Sequence, residues 1–266
     1  MFRFLIPLFC LLLAVAPAPA RADFDAGMAA YDRGDFKQSM YEWRPLAKAG
    51  DAEAQYRVGR LYAFGEGVEL DDSEAVKWYK LAASKQQVLA LYNLGVHYDN
   101  GWGVERKPDK ATSFYQRAAA LGDTSAMYNL GVNLWQGDRV QQNDAAAFNW
   151  FKMAGEGGHP GAQNYLGLAY SYGRGVEEDQ KTAVFWFTRA ARQGDTMAQG
   201  ALGYRYVAGE GVSVDPVIGY MWFSLALRGR HWRTYLAYPY MWKETTVAER
   251  LEGQRLAYDW APELEN

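Results

Sequence analysis

The sequence predicts an all-α protein, a right-handed α-solenoid of helix-turn-helix repeats with a 36-residue period and a helical cap at each end. Three observations support this fold class. A large aromatic residue returns every 36 positions, at Trp78, Phe114, Trp150, Trp186 and Trp222. Glycine returns with the same step in two columns, at Gly59, Gly95, Gly131, Gly167 and Gly203 and at Gly65, Gly101, Gly137, Gly173 and Gly209. Within each unit, apolar residues follow helical spacing, so five stacked helical pairs are expected.

The first helix of a unit is marked by one apolar face. In the first unit, Ala54, Val58 and Leu61 recur at the spacing of a 3.6-residue helix. Gly59 lies inside this helix, where glycine costs about 1 kcal/mol relative to alanine. Its return in all five units predicts that two helices approach too closely at this point for a side chain.

A loop with two glycines and a second helix complete the unit. Gly65 closes the first helix and Gly67 lets the chain reverse. Asp71 is predicted as the N-cap of the second helix, with Glu74 as its capping-box partner. The Asp71 column continues with Asn143, Asp179 and Asp215. The second helix has an apolar face made by Ala75, Trp78, Tyr79 and Ala82.

Each unit contains two recurring strings. The first halves read AEAQYRVGRLYAFGEGV, ALYNLGVHYDNGWGV, AMYNLGVNLWQGDRV, AQNYLGLAYSYGRGV and AQGALGYRYVAGEGV, and the second halves read AVKWYKLAA, ATSFYQRAA, AAFNWFKMA, AVFWFTRAA and IGYMWFSLA. These strings resemble the Sel-one-like repeat family, a relative of the tetratricopeptide repeats. The resemblance covers residues 51–231 as five repeats, and residues 23–50 resemble the shorter helical pair that opens such arrays.

Two positions depart from the family pattern. Arg139 stands where the family has its second loop glycine, which puts that turn in doubt. Gly219 stands where the other units have alanine, which predicts a looser last pair.

After residue 231 the period is lost, and residues 232–266 are predicted to form a C-terminal cap. The cap contains a helix that Thr246 and Glu249 open as a capping box. A docking use of the cap aromatics is the alternative; these are Trp232, Tyr235, Tyr238, Tyr240 and Trp242.

The N-terminus has the pattern of a secretory signal peptide. A basic start, an apolar run over residues 5–15 and small residues around position 20 predict cleavage after Ala22 and export to the periplasm. A membrane anchor is the alternative, but the run is shorter than the roughly 20 residues that span a bilayer. The only cysteine, Cys10, would leave with the signal peptide.

Composition and motifs argue against several classes of function. Residues 23–266 have 26 basic and 31 acidic side chains, since Arg3 and Arg21 are removed from a total of 28, so nucleic acid is not an expected partner. Without cysteines, and with three histidines at unsuitable spacing, no metal or cofactor site is predicted. His97 is interpreted as a packed or edge histidine. The motifs of common hydrolases and phosphate-binding loops are missing, so an enzyme is not expected.

The resemblance implies that the first helices line a concave groove and that side chains near each helix glycine point into it. These candidate partner-binding residues are Tyr56, Arg57, Arg60, Tyr92, Asn93, Val96, Tyr128, Asn129, Asn164, Tyr165 and Tyr204, with Val132 and Leu168 at corresponding positions. Asparagine can pair with a peptide backbone, and tyrosine gives rigid amphipathic contact. The alternative is that the tyrosines pack between helices and the asparagines cap or solvate the groove.

Three functions remain open from the sequence. The first is a non-catalytic periplasmic scaffold or adaptor that binds an envelope protein or peptide segment, as the resemblance to family members in signalling, secretion and envelope assembly implies. The second is a peptidoglycan- or carbohydrate-binding envelope module, since aromatic grooves also stack sugar rings. The third is a β-lactamase-like hydrolase, because cysteine-rich members of the family have been linked to penicillin hydrolysis, although their cysteines are missing here.

Overall fold

The computed structural model describes residues 23–137, 140–229 and 239–260, and these residues form helices without a β-strand. Ten of the helices have 13 residues each and alternate as the first and second helices of five repeats: α3 (Ala52–Phe64), α4 (Asp72–Ser84), α5 (Val88–Asn100), α6 (Pro108–Ala120), α7 (Thr124–Gln136), α8 (Asp144–Glu156), α9 (Pro160–Tyr172), α10 (Gln180–Arg192), α11 (Thr196–Ala208) and α12 (Pro216–Arg228). Before them lie α1 (Phe24–Asp32) and α2 (Phe36–Ala49). After them lie a short helical segment, residues 239–243, and the C-terminal helix (Val247–Asp259).

Each helix from α1 to α12 packs mainly against the helices that precede and follow it in the chain. The predicted α-solenoid of helical pairs is therefore confirmed. The core runs along the array between the pairs, because the buried side chains of one repeat meet those of the next.

In the first four repeats, the glycine inside the first helix lies against an aromatic ring of the second helix. A Cβ atom added to Gly131 would lie 2.5 Å from the Phe151 ring, and one added to Gly167 would lie 2.6 Å from the Phe187 ring. The predicted close approach is confirmed. The fully buried ring belongs to the residue after the tryptophan column: Tyr79, Tyr115, Phe151, Phe187 and Phe223, whereas Trp150 itself is half-buried.

The helix ends follow the predicted capping pattern with one correction. Asp71 accepts the backbone N–H of Glu74 at 2.9 Å, and Asn143, Asp179 and Asp215 cap their helices in the same way. Glu74 does not complete a capping box; its carboxylate instead accepts a hydrogen bond from Lys77 at 2.5 Å. That exposed contact with the side chain one turn ahead takes the place of the bond back to the N-cap.

The second loop glycine has a packing role besides its turn conformation. Gly67 has φ of +70°, and a Cβ atom there would lie 2.6 Å from the backbone of Phe36 at the start of α2. This loop therefore sits directly on the N-terminus of the second helix in the preceding pair. Arg139, which replaces this glycine in one repeat, lies outside the described residues.

The last repeat is closely packed, which contradicts the expectation of a looser pair. A Cβ atom on Gly203 would lie 2.8 Å from the carbonyl oxygen of Gly219, and one on Gly219 would lie 2.6 Å from the Val207 side chain. Two facing glycines let the backbones of α11 and α12 meet without an intervening ring.

The C-terminal helix covers α12. The predicted capping box of Thr246 and Glu249 is confirmed, and the buried Ala257 packs in one cluster with Trp222. Tyr240 packs against Tyr204, whereas Trp242 is half exposed. The aromatics Trp232, Tyr235 and Tyr238 lie outside the described residues.

Of the helices in the described residues, none is both long enough and apolar enough to cross a bilayer. The predicted signal peptide, residues 1–22, lies outside the described part of the chain.

Candidate functional site

Three predicted tyrosines lie between the two helices of their own repeats. The rings of Tyr56, Tyr92 and Tyr128 have their centroids 6.0, 6.0 and 6.3 Å from the buried second-helix ring of the same repeat. Tyr56 is 7% exposed, and the other two are half-buried. Burial raises the pKa of all three hydroxyls, to about 12 for Tyr128. These side chains therefore contribute to the core, and only part of their surface is open to a partner.

Two predicted asparagines connect neighbouring repeats. The side chain of Asn93 on α5 interacts with that of Tyr56, and the side chain of Asn129 on α7 interacts with that of Tyr92. Each interaction lowers the pKa of its tyrosine, as an amide N–H near a phenolate oxygen does. Asn93 and Asn129 are half-buried, so they join the first helices and still keep some exposed amide surface.

The next boundary is filled by rings. Tyr165 occupies the Asn93 column, stacks on Phe151 at 4.6 Å and meets the edge of Tyr128 at 5.9 Å. Asn164 occupies the Tyr56 column and is 7% exposed. The structure therefore leaves little of Asn164 within reach of a partner.

The two predicted arginines join the first repeat to the N-terminal helical pair. Arg57 donates from Nε to Glu53 at 2.8 Å and lies over the Trp43 ring of α2 at 6.0 Å. Arg60 lies over the Tyr31 ring of α1 at 4.8 Å. Both are half-buried, and their cation–π contacts hold α1 and α2 against α3.

The position after each helix glycine also keeps exposed surface in every repeat. Val96, Val132, Leu168 and Tyr204 are all half-buried at this position. Tyr204 donates its hydroxyl to Glu210 at 3.2 Å, and its ring lies 5.1 Å from Tyr240. We call the row formed by these four residues, together with Asn93 and Asn129, the first-helix surface.

The first-helix surface deepens into a cavity between α9 and α11. The cavity has a volume of about 720 Å³. Its wall is made mainly by Leu168, Ser171 and Tyr172 of α9 and by Gly200, Ala201, Tyr204 and Arg205 of α11. Gly200 and Ala201 occupy the columns that hold the large tyrosines and asparagines in earlier repeats, and this loss of side-chain volume opens the space.

Sequence reasoning identified Tyr204 in this region and missed Arg205, Gly200 and Ala201. A signal was present, because two adjacent columns change from tyrosine and asparagine to glycine and alanine in the fifth repeat alone. The Arg205 column also varies from unit to unit, as Leu61, His97, Asn133 and Ala169. A break in the columns therefore marked the place where the surface changes.

Within the described ranges, no group of three or more histidine, cysteine, aspartate or glutamate side chains is arranged to hold a metal ion. His97 is buried, with Nδ1 3.0 Å from the Trp102 carbonyl oxygen and its ring edge-on to Tyr79. Its interpretation as a packed histidine is confirmed. His159 caps α9, since Nδ1 accepts the backbone N–H of Ala162 at 3.2 Å.

Two solved structures are similar over most of the chain. One is a protective antigen of uropathogenic Escherichia coli with an SLR fold, which is 28% identical with a TM-score of 0.79, over 86% of this chain and 50% of that one. The chain thus spans half the length of that antigen. The other is a Sel1 repeat protein from Oxalobacter formigenes, 27% identical with a TM-score of 0.77, over 89% of this chain and 99% of that one. No curated protein sequence matches the chain significantly.

The Sel1 repeat family matches the chain five times, over residues 52–86, 88–123, 124–159, 160–195 and 196–231. Each match contains one first helix and one second helix of the solenoid. Such repeats build protein–protein interaction scaffolds, and the proteins that contain them are generally non-catalytic. Because the five matches cover more than half of its residues, the chain belongs to the Sel1 repeat family.

Proposed function

We propose that this protein is a non-catalytic scaffold of the periplasm, which binds an extended segment of a cell-envelope protein along its first-helix surface. The coarse part of this function follows from the family, whose repeats serve protein–protein interaction. The envelope location is supported by the signal-like N-terminus.

The observation that carries the proposal is the row of half-buried side chains on consecutive first helices. Val96, Val132 and Leu168 offer apolar contact at one repeat spacing, and Asn93 and Asn129 add amide groups beside them. An amide side chain can donate to and accept from a peptide backbone at once, so the row suits an extended protein segment. The large rings beneath it are held in the core and give the row a fixed geometry.

The binding surface can be tested by crosslinking in living cells. A photoreactive residue is placed at Val132 on α7, and a matched control residue at Leu81, which is 48% exposed on α4. We expect a discrete protein adduct from position 132 and none from position 81. Adducts of equal strength from both positions would contradict the proposed surface. Cosedimentation with cell-wall sacculi without a protein adduct would favour the peptidoglycan-binding alternative.

Export can be tested separately. N-terminal sequencing of the stable protein, released by osmotic shock, should begin at Asp23 if cleavage follows Ala22. A product that begins at Met1 and stays with the cytoplasm would reject the periplasmic assignment. A control cytoplasmic enzyme in the same fractions verifies that the cells were not lysed.

A further inference from the structure

The cavity between α9 and α11 contains a buried arginine that forms no ion pair with another described residue. Arg205 is 7% exposed, and the guanidinium lies 4.7 Å from the centroid of the Phe187 ring. Among the described residues no carboxylate forms an ion pair with it, and Glu210 in the cavity wall acts only through longer-range attraction. Burial lowers the pKa of the guanidinium, although arginine stays charged at neutral pH. The positive charge is therefore desolvated and incompletely compensated.

The hydrogen bonds of Arg205 leave donor capacity unused. Nη2 donates to Ser171 Oγ at 2.5 Å and is 3.4 Å from Gln180 Oε1, and Nη1 is 3.5 Å from the Ala201 carbonyl oxygen. Nε is buried and has no hydrogen-bond partner in the described part of the chain. A guanidinium has five N–H donors, so neutral oxygens satisfy only part of this one. Leaving a buried charge in this state costs free energy that an entering anion would recover.

The cavity beside the guanidinium has room for such an anion. Its volume of about 720 Å³ exceeds that of a single side chain, and its wall includes Gly200 and Ala201, which replace larger residues of the earlier repeats. Ser171 is held in place, since its hydroxyl donates to the Gly167 carbonyl oxygen at 2.7 Å, and this bond keeps its oxygen directed toward Arg205. The floor of the cavity is thus arranged before any ligand enters.

We propose that the Arg205 cavity binds the side-chain carboxylate of a glutamate or aspartate in the protein segment that lies on the first-helix surface. A carboxylate matches the planar N–H pairs of a guanidinium and supplies the missing negative charge. If the bound segment lies along Val132 and Leu168, its backbone continues past the mouth of the cavity. The group that enters the cavity is therefore a side chain and not the C-terminus of the segment. This inference rests on the proposed function and adds a specificity for acidic residues.

A titration with short peptides tests this specificity directly. The probe is N-acetyl-Ala-Glu-Ala-amide, compared with the glutamine analogue and with N-acetyl-Ala-Ala-Ala carrying a terminal carboxylate. Binding is followed by NMR at the backbone amides of Gly200 and Ala201, with peptide up to about 10 mM. We expect the glutamate peptide to bind at least about tenfold more tightly than either analogue. Equal binding of glutamate and glutamine, tighter binding of the terminal carboxylate, or no binding at all would each overturn the proposal.

Two variants test the two parts of the cavity. Arg205→Met removes the charge, and Gly200→Tyr fills the space with the residue that Tyr56, Tyr92 and Tyr128 provide in earlier repeats. Each should remove the preference for glutamate over glutamine while the circular dichroism melting curve stays cooperative. Arg228→Met, an exposed change on α12, is the matched control and should leave the preference unchanged.

A folded variant that still prefers glutamate over glutamine would overturn the assignment of the Arg205 cavity. The two variants change the charge and the space independently, so the test gives a result even if only one of them folds. The crosslinking at position 132 does not depend on acidic residues. A failure of peptide specificity with a successful crosslink would therefore reject the Arg205 site and leave the scaffold function intact.

Discussion

Two junctions between neighbouring first helices, α5 with α7 and α9 with α11, are equivalent in the array. They differ in the side chains that lie between the helices. At the first, which we call the closed junction, the Asn129 side chain interacts with Tyr92 of the preceding repeat. At the second, the open junction, the same two columns hold Asn164 and Ala201, and the cavity beside Arg205 takes the place of the side-chain pair. The helices on both sides have 13 residues and the same glycine columns.

The comparison separates two kinds of position in this solenoid. The contact of a first-helix glycine with a buried ring of the second helix occurs at both junctions, at Phe151 in the repeat that contains α7 and at Phe187 in the repeat that contains α9. The positions three and two residues before that glycine differ between the junctions without a change of helix length. The glycine–ring contact therefore holds the two helices of a repeat together, and the two variable positions before the glycine are available for binding.

The largest effect is expected from removing the buried ring that packs on the first-helix glycine, a contact found at both junctions. Phe151→Ala and Phe187→Ala each remove a fully buried ring, and each should lower the free energy of unfolding by about 3–5 kcal/mol. Urea denaturation of the mature chain, followed by circular dichroism, measures both. Trp150→Ala is the control, since this half-buried residue adjoins Phe151 and should cost less. If Phe187→Ala lowers the free energy of unfolding by less than about 1 kcal/mol, the two helices of that repeat are packed more loosely at the open junction.

A smaller effect is expected from changing the side-chain pair that distinguishes the two junctions. Asn129→Ala removes the side chain that interacts with Tyr92 and should destabilise the fold by about 0.5–1.5 kcal/mol. The combined change Asn164→Tyr and Ala201→Asn should stabilise it by building the same pair at the open junction. Thermal unfolding compares the variants. Tyr92→Phe added to Asn129→Ala provides the control, because the second change should cost little once the Asn129 amide is gone. Fully additive losses would mean that the interaction between Tyr92 and Asn129 contributes nothing to stability.

The smallest effect concerns His159, which lies between the two junctions as the N-cap of α9. Burial lowers the pKa of its imidazole from the ordinary value of 6.5, and Nδ1 must be unprotonated to accept the Ala162 N–H. As pH falls, the unfolded chain binds this proton first. The cap therefore stabilises the fold fully above pH 6.5, and that contribution is lost as pH falls through the folded-state pKa.

We expect this loss to be at most about 1 kcal/mol. Thermal unfolding of the parent and of His159→Asp between about pH 7.5 and 5.5 measures it. Aspartate caps α3, α7 and α11 at the same column, so the variant should keep its cap over this range. If the two proteins lose stability in parallel, His159 is not the titrating group.

Much of the fold was predictable because it depends on local interactions that repeat. Asp71, Asn143, Asp179 and Asp215 fixed the starts of second helices, since an N-cap acts on the backbone N–H groups of the next turn. The glycine column predicted the close helix approach that Gly131 and Gly167 make. Glu74 was misassigned to a capping box because the N–H of Asp71, which the box would use, already donates to the Tyr62 carbonyl oxygen at 3.0 Å.

The candidate site was less predictable, because a first helix has contacts on several sides. Neighbouring positions on a helix differ by about 100°, and for Tyr56 the sequence left open whether it faced the groove or the second helix. The packing places it against Tyr79. The same difficulty concealed that Phe151, rather than Trp150, fills the core.

The sequence by itself determined the number of repeats, the period and the helix boundaries, since these follow from spacing, capping and glycine conformation within about 36 residues. The tertiary structure decided which side chains fill the space between neighbouring repeats. Only there do Asn129 and Tyr92, 37 positions apart, meet, and only there does the pairing of Gly200 and Ala201 with Arg205 become a cavity. Burial and donor satisfaction depend on residues brought together by stacking, and no local sequence pattern encodes them.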